Sequence, residues 1–175
     1  MKFKALEVVN DCRIACRELD EAEKENNKRL IRIRWFTCLA LLRSVGHVLE
    51  KVDQKSYSEY DMIFKEKFNS FKNDSIYLNF IKNDRDLILK EYKFFIIEGE
   101  SERIESNFIV INDEGDFLGI GGGKILKVAD DKIIKRFFKK GEGFDKYNLL
   151  HEIVSDAIIW WQRYIDSIII EINRR

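Results

Sequence analysis

KFFIIEGESERIESNFIVINDEGDFLGIGGGKILKVADDKIIKRFFKK, residues 93–140, is the stretch that decides the fold. Within it FFII (94–97), NFIVI (107–111), DFLGI (116–120), KILKV (124–128) and KIIKRFF (132–138) are short runs of strand type. NDEG (112–115), GGG (121–123) and ADD (129–131) separate them with turn chemistry. This predicts an antiparallel β-meander of about three to five strands. Charge falls in blocks: residues 98–116 carry seven acids and one arginine, and residues 124–140 carry seven Lys or Arg against two Asp. Neighbouring strands of opposite charge attract across a sheet. The sharper alternative is a basic hairpin exposed to phosphate.

On both sides of this stretch the period is helical. Ala5, Val9, Cys12, Cys16 and Leu19 recur at steps of four and three along a helix over residues 2–25. Ile31, Trp35, Cys38, Leu42, Val45, Leu49 and Val52 do the same over residues 28–52, and Phe36, Leu39 and Leu41 widen that stripe. A helix apolar on more than one side is central. A third helix reads in two pieces. Tyr57, Tyr60, Phe64, Phe68 and Phe71 follow a Ser56 cap, and a second piece runs from Ser75 to Tyr92 after the turn cluster Asn73-Asp74-Ser75. Leu150, Val154, Ala157, Trp161, Tyr164, Ile168 and Ile172 mark a last helix with Asn148 as its N-cap. The expected fold class is α+β, mainly α: an antiparallel four- to five-helix bundle with an antiparallel β-meander inserted before the C-terminal helix. The 175 residues read as a single domain, with a helical bundle over 1–92, the meander over 93–140 and the closing helix over 148–174.

Formal net charge is zero, which argues against a protein whose whole surface coats nucleic acid or an anionic membrane. A local basic groove remains compatible with it. Three cysteines do not make a disulfide framework, and the charged first residues lack the apolar core of a secretory leader. The apolar runs are too short or too interrupted to span a bilayer. The expectation is a soluble cytoplasmic protein with no membrane partner.

Among candidate sites, RDLILKEY (85–92) stands first. Arg85 falls on the stripe Tyr77, Ile81, Ile88, Tyr92 and is therefore expected to turn toward the apolar side, where it must be paired, snorkel out or line a polar pocket; the bland reading is a helix-end arginine paired with a carboxylate. Arg43 and His47 share a face of the second helix, one turn apart. His151 lies beside Glu152 in the first turn of the last helix. Two separated histidines without carboxylates at ligand spacing give no metal site, and no cofactor is expected. GIGGGK (119–124) misses both the P-loop and dinucleotide patterns and reads as a turn between strands, with nucleotide binding its functional alternative. Lys28, Arg29, Arg32 and Arg34 beside Trp35 and Phe36 form a basic helix start that reads as a solvated face, with single-stranded nucleic acid as the functional alternative.

The spacing Arg85-x4-Lys90-x-Tyr92 resembles the R-x4-H-x-Y motif of the HEPN superfamily (higher eukaryotes and prokaryotes nucleotide-binding domains), in particular the toxin half of minimal-nucleotidyltransferase toxin–antitoxin pairs. The resemblance implies a small helical bundle, usually dimeric, with motif helices meeting at the dimer interface. It implies action on RNA phosphates, often as a metal-independent ribonuclease of bacterial defence. Arg85 would hold the phosphate with Tyr92 beside it. Lys90 stands where the family has histidine; an ordinary lysine stays charged and accepts no proton, so binding is implied more readily than cleavage. His47 is the imidazole that could stand in if the second and third helices pack antiparallel. Catalytic candidates are therefore Arg85, Lys90, Tyr92 and His47, and nucleic-acid contacts Arg43, Arg85 and Lys90. The partners implied are RNA, a cognate antitoxin or other protein, and a second copy of the chain. The alternative function is a non-enzymatic interaction or oligomerisation module.

Overall fold

The computed structural model describes residues 2–111, 124–145 and 148–174, apart from the side chains of 100–136. The chain divides into two compact units, Met1–Glu98 with Phe138–Arg175, and Gly99–Phe137.

The larger unit is helical. Helix α1 (Lys4–Lys24) and helix α2 (Lys28–Val48) are joined by a short turn. Asn26 takes the left-handed conformation there, and the Asn27 side chain accepts the Leu30 N–H at 3.1 Å, which caps α2. The expected stripes are buried, with Ala15 and Ala22 added on α1. Cys16 is the exception: it is only half-buried and lines a groove.

Helix α2 does not run regularly to Val52. Leu49–Asp53 form a π-helical turn, followed by a single turn α3 (Gln54–Ser56). The wider turn shifts the helical phase, so Val52 is turned out at 43% exposure and Asp53 is turned in. The Asp53 carboxylate accepts the backbone N–H groups of Lys4 (2.8 Å) and Ala5 (2.9 Å). These are donors that the first turn of α1 cannot satisfy within the helix. Ser56 is no cap; its hydroxyl donates to the Val52 carbonyl.

A 3-10 turn (Ser58–Tyr60) leads into helix α4 (Asp61–Phe71). A second π-helical segment (Ile76–Lys82) leads into helix α5 (Asn83–Glu91), which ends at Tyr92 in the left-handed conformation. Helix α6 (Leu150–Asn173) starts one residue later than expected, and Glu152 accepts the Leu149 N–H. Helices α1 and α2 pack on each other and both pack on α6, while α5 packs on α2 and α4 on α6. Trp161 is fully buried where α6 meets α2: a Cβ added at Gly46 would lie 3.0 Å from its ring, so glycine permits the approach. Phe71, Tyr77, Trp160, Trp161 and Tyr164 form one aromatic cluster of mostly edge contacts. Among the described residues, no helix is long and apolar enough to cross a membrane.

The protein is thus mainly helical with a small antiparallel sheet, but the sheet differs from the expected meander. It has two strands among the described residues, β1 (Ile96–Ile111) and β2 (Lys124–Lys140). The runs 94–97 and 107–111 are not separate strands, since β1 continues from Ile96 to Ile111. ADD (129–131) is no turn; it lies within β2. It lacks the glycine or asparagine that a tight reversal with positive φ requires. NDEG (112–115), DFLGI (116–120) and GGG (121–123) lie outside the described residues. The acidic and basic blocks fall largely on paired strands. In the smaller unit, a Cβ on Gly99 would collide with the Phe137 ring, so a larger residue there requires that ring to move.

Where β2 ends, Lys140 is buried and forms an ion pair with Asp84 of α5; their side chains are 2% and 7% exposed. The ammonium also lies over the Phe80 ring, 5.6 Å from its centroid. Burial raises the Asp84 carboxyl above its ordinary range, and the neighbouring ammonium only partly offsets this. The pair therefore does not fully repay the desolvation of its own carboxylate. Removing one partner is predicted to cost about 3–5 kcal/mol, whereas Asp84→Leu with Lys140→Met costs less. An acid with a raised folded pKa destabilises as pH rises above its unfolded value of 3.8. The Lys140→Met deficit should therefore grow with rising pH and shrink toward acid, as measured by urea unfolding at several pH values. A deficit that is flat with pH contradicts this account.

Candidate functional site

Helices α2 and α5 bring together three of the sequence-predicted residues. Arg43 lies partly buried on α2, with its guanidinium 5.0 Å from the centroid of the Tyr77 ring. Arg85 projects from the first turn of α5 and is held by its neighbour Asp86, Nη1 to Oδ1 at 2.8 Å. Arg85 lies within electrostatic range of Arg43. Burial first, and then Arg85, lower the Arg43 pKa from its ordinary value. His47, one turn beyond Arg43, is also lowered from 6.5: partial burial of the ring is the larger cause, followed by the Arg43 charge, with Arg85 contributing. The acids in the same field are Asp86 and Glu50. The result is a patch with two fixed cations and an imidazole biased toward its neutral, proton-accepting form.

Arg85 does not lie where the stripe places it. The inward positions of α5 are Asp84 and Ile88, and Arg85 sits on the shoulder with its side chain 33% exposed. Lys90 is exposed on the last turn. Tyr92 is 73% exposed, and its ring meets Phe94 edge-on at 5.0 Å. The motif thus divides: Arg85 groups with Arg43 and His47, while Lys90 and Tyr92 face solvent at the helix end.

The basic start of α2 is partly compensated. Lys28 pairs with Glu98 at 2.5 Å and Arg34 with Glu18 at 3.0 Å, over a buried Trp35. GIGGGK lies outside the described residues except for Lys124. His151 corrects another expectation, because carboxylates do cluster around it. Its Nδ1 is 2.5 Å from Glu23 Oε2 and 3.9 Å from Asp20 Oδ1, both at the end of α1. Glu23 and His151 are 128 residues apart, so local spacing could not reveal them. The available signal was Glu23, an acid one turn beyond Leu19 on the buried face of α1.

The thiols are not activated. Burial pushes Cys12 up to about 12; for Cys16, burial and then the charges of Asp20 and Glu23 push it up to about 11.

No family model matches the chain, and neither does any curated protein or solved structure.

The His47 ring should titrate below 6.5 in the folded protein, and Arg43→Ala should move its midpoint upward by removing the adjacent charge. Proton NMR of the two histidine rings, assigned with His47→Gln, reads this directly. A midpoint that does not respond to Arg43→Ala removes the electrostatic coupling.

Proposed function

We propose that this chain is a cytoplasmic RNA-binding protein of the HEPN type. In this reading the helices form an antiparallel four- to five-helix bundle, and RNA phosphates sit on the patch between α2 and α5. The convergence of Arg43, His47 and Arg85 carries the reading. Two guanidinia offer planar donors suited to phosphate oxygens. The stacking of Arg43 on Tyr77 and the bond from Arg85 to Asp86 hold those donors in place before RNA arrives.

The reading extends to metal-independent cleavage. A neutral His47 would accept the proton of a ribose 2′-hydroxyl as that oxygen attacks the adjacent phosphorus; the P–O5′ bond breaks, leaving a 2′,3′-cyclic phosphate, and the departing 5′-oxygen takes its proton from water. Arg43 and Arg85 would stabilise the charge gathering on the phosphate oxygens. His47 thus replaces, from α2, the histidine that the motif lacks at Lys90. Lys90 would add an outer phosphate contact. Leu89 and Tyr92, both exposed at the end of α5, are where a second copy or an antitoxin would dock.

Fluorescence anisotropy with a labelled single-stranded RNA tests the binding claim. Affinity is expected to fall steeply with salt. Arg43→Ala and Arg85→Ala should each weaken it and reduce the log–log salt slope by about one. His47→Gln should preserve binding and abolish any cleavage seen in the presence of a chelator. A double arginine variant with unchanged affinity and slope would falsify the RNA reading.

A further inference from the structure

A second cluster lies between α1 and α6, away from the residues assigned to RNA. Asp20 and Glu23 stand three residues apart near the end of α1, and His151 stands in the first turn of α6. One ligand-capable atom from each lies within 4.8 Å of the others. Glu23 is only 8% exposed, and its Oε1 has no hydrogen-bond partner although Oε2 meets His151. A buried carboxylate oxygen without a donor is costly. Lys24 pairs with Asp20 at 2.6 Å but from a largely exposed position, and it engages Oδ2, leaving Oδ1 directed toward His151. Lys24 offsets Asp20 from its exposed side, and Glu23 Oε1 stays buried without a donor.

Asp20 and His151 also line a groove of about 730 Å³ between the two helices, together with Cys16, Arg13, Arg17 and Arg163. Glu23 is buried against His151, outside that lining. Two of the three ligand residues thus line an open groove, and the third is buried beside His151.

The geometry points to a divalent-cation site made by Asp20, Glu23 and His151, taking a first-row transition ion of the zinc or manganese class. Mixed imidazole and carboxylate donors suit such ions, whereas calcium and magnesium favour all-oxygen shells. A tetrahedral ion with bonds of ~2.1 Å holds its ligand atoms ~3.4 Å apart, so small side-chain rotations suffice. The ion would satisfy Glu23 Oε1 or displace the proton shared by Glu23 and His151. Three protein ligands leave at least one exchangeable position, and it would open on the arginines of the groove, which favours an anionic ligand there. Cys16 is not a ligand in this arrangement: its thiol donates to the His151 carbonyl at 3.4 Å. The competing explanation is a plain hydrogen bond pinning α1 to α6, and it predicts no ion.

Equilibrium dialysis and calorimetry of the full chain with Zn²⁺, and separately with Mn²⁺, distinguish the two, alongside thermal unfolding. One saturable ion per chain is expected, with a melting temperature that rises with metal concentration. Asp20→Asn alters a partly exposed side chain and should keep the fold while weakening uptake by about tenfold or more. His151→Ala should abolish uptake, and His47→Ala should leave it unchanged. Absence of saturable uptake by the wild-type chain overturns the site. So does uptake that Asp20→Asn leaves unaltered, even if His151→Ala proves too unstable to test. Neither outcome bears on RNA binding through Arg43 and Arg85.

Discussion

A lysine ammonium buried to 2% exposure must have its countercharge beside it, and this requirement sets the rotation of α5. Asp84 turns inward to meet Lys140, and Ile88 comes one turn later on the same line. Consecutive helical residues are ~100° apart, so Arg85 is placed on the shoulder of α5. Its charge acts on Arg43 of α2, the helix that α5 packs against. An interaction that contributes little net stability thus orients the guanidinium on which the functional proposal rests. It also fixes where the second strand rejoins the helices: the Lys140 N–H donates to the Asn148 carbonyl, and Lys139 bridges to Leu149.

The formally neutral chain gives its two histidines different neighbours. Between α2 and α5 the dominant charges are guanidinia, and they hold an imidazole toward its neutral form. At the far end of α1 the dominant charges are carboxylates. Burial there raises the Glu23 carboxyl, and the hydrogen bond from His151 counters it. A guanidinium on its own helix is the largest charged influence on His47, whereas carboxylates from another helix meet His151, and a net charge of zero conceals this. Both clusters combine groups from two helices, so neither survives a change in how those helices pack.

The regular helices were the most legible part of the sequence, because burial along α1, α2 and α6 repeats at 3.6 residues and leaves an unbroken apolar stripe. The two π-helical segments were not legible. A wide turn inserts a phase shift without any residue type that announces it, so Val52 was expected inward and Asp53 was not noticed as the cap of α1. The same shift before α5 moved Asp84, not Arg85, onto the buried face. The hairpin was legible as β but not in its segmentation, since strand continuity depends on backbone pairing that charged runs such as ESERIES do not reveal. Of the candidate site, Arg43, His47 and Arg85 were each nameable from sequence, and their convergence required only that α2 and α5 pack. Glu23 and His151 were invisible as a pair because the connection is purely tertiary.

One short backbone contact has a topological consequence. The Gly141 N–H donates to the Phe95 carbonyl at 2.6 Å, within the larger unit and just outside the span Gly99–Phe137. The helical unit is therefore stitched shut at the point where the smaller one leaves and returns. Departure and return of the chain thus lie side by side on the larger unit.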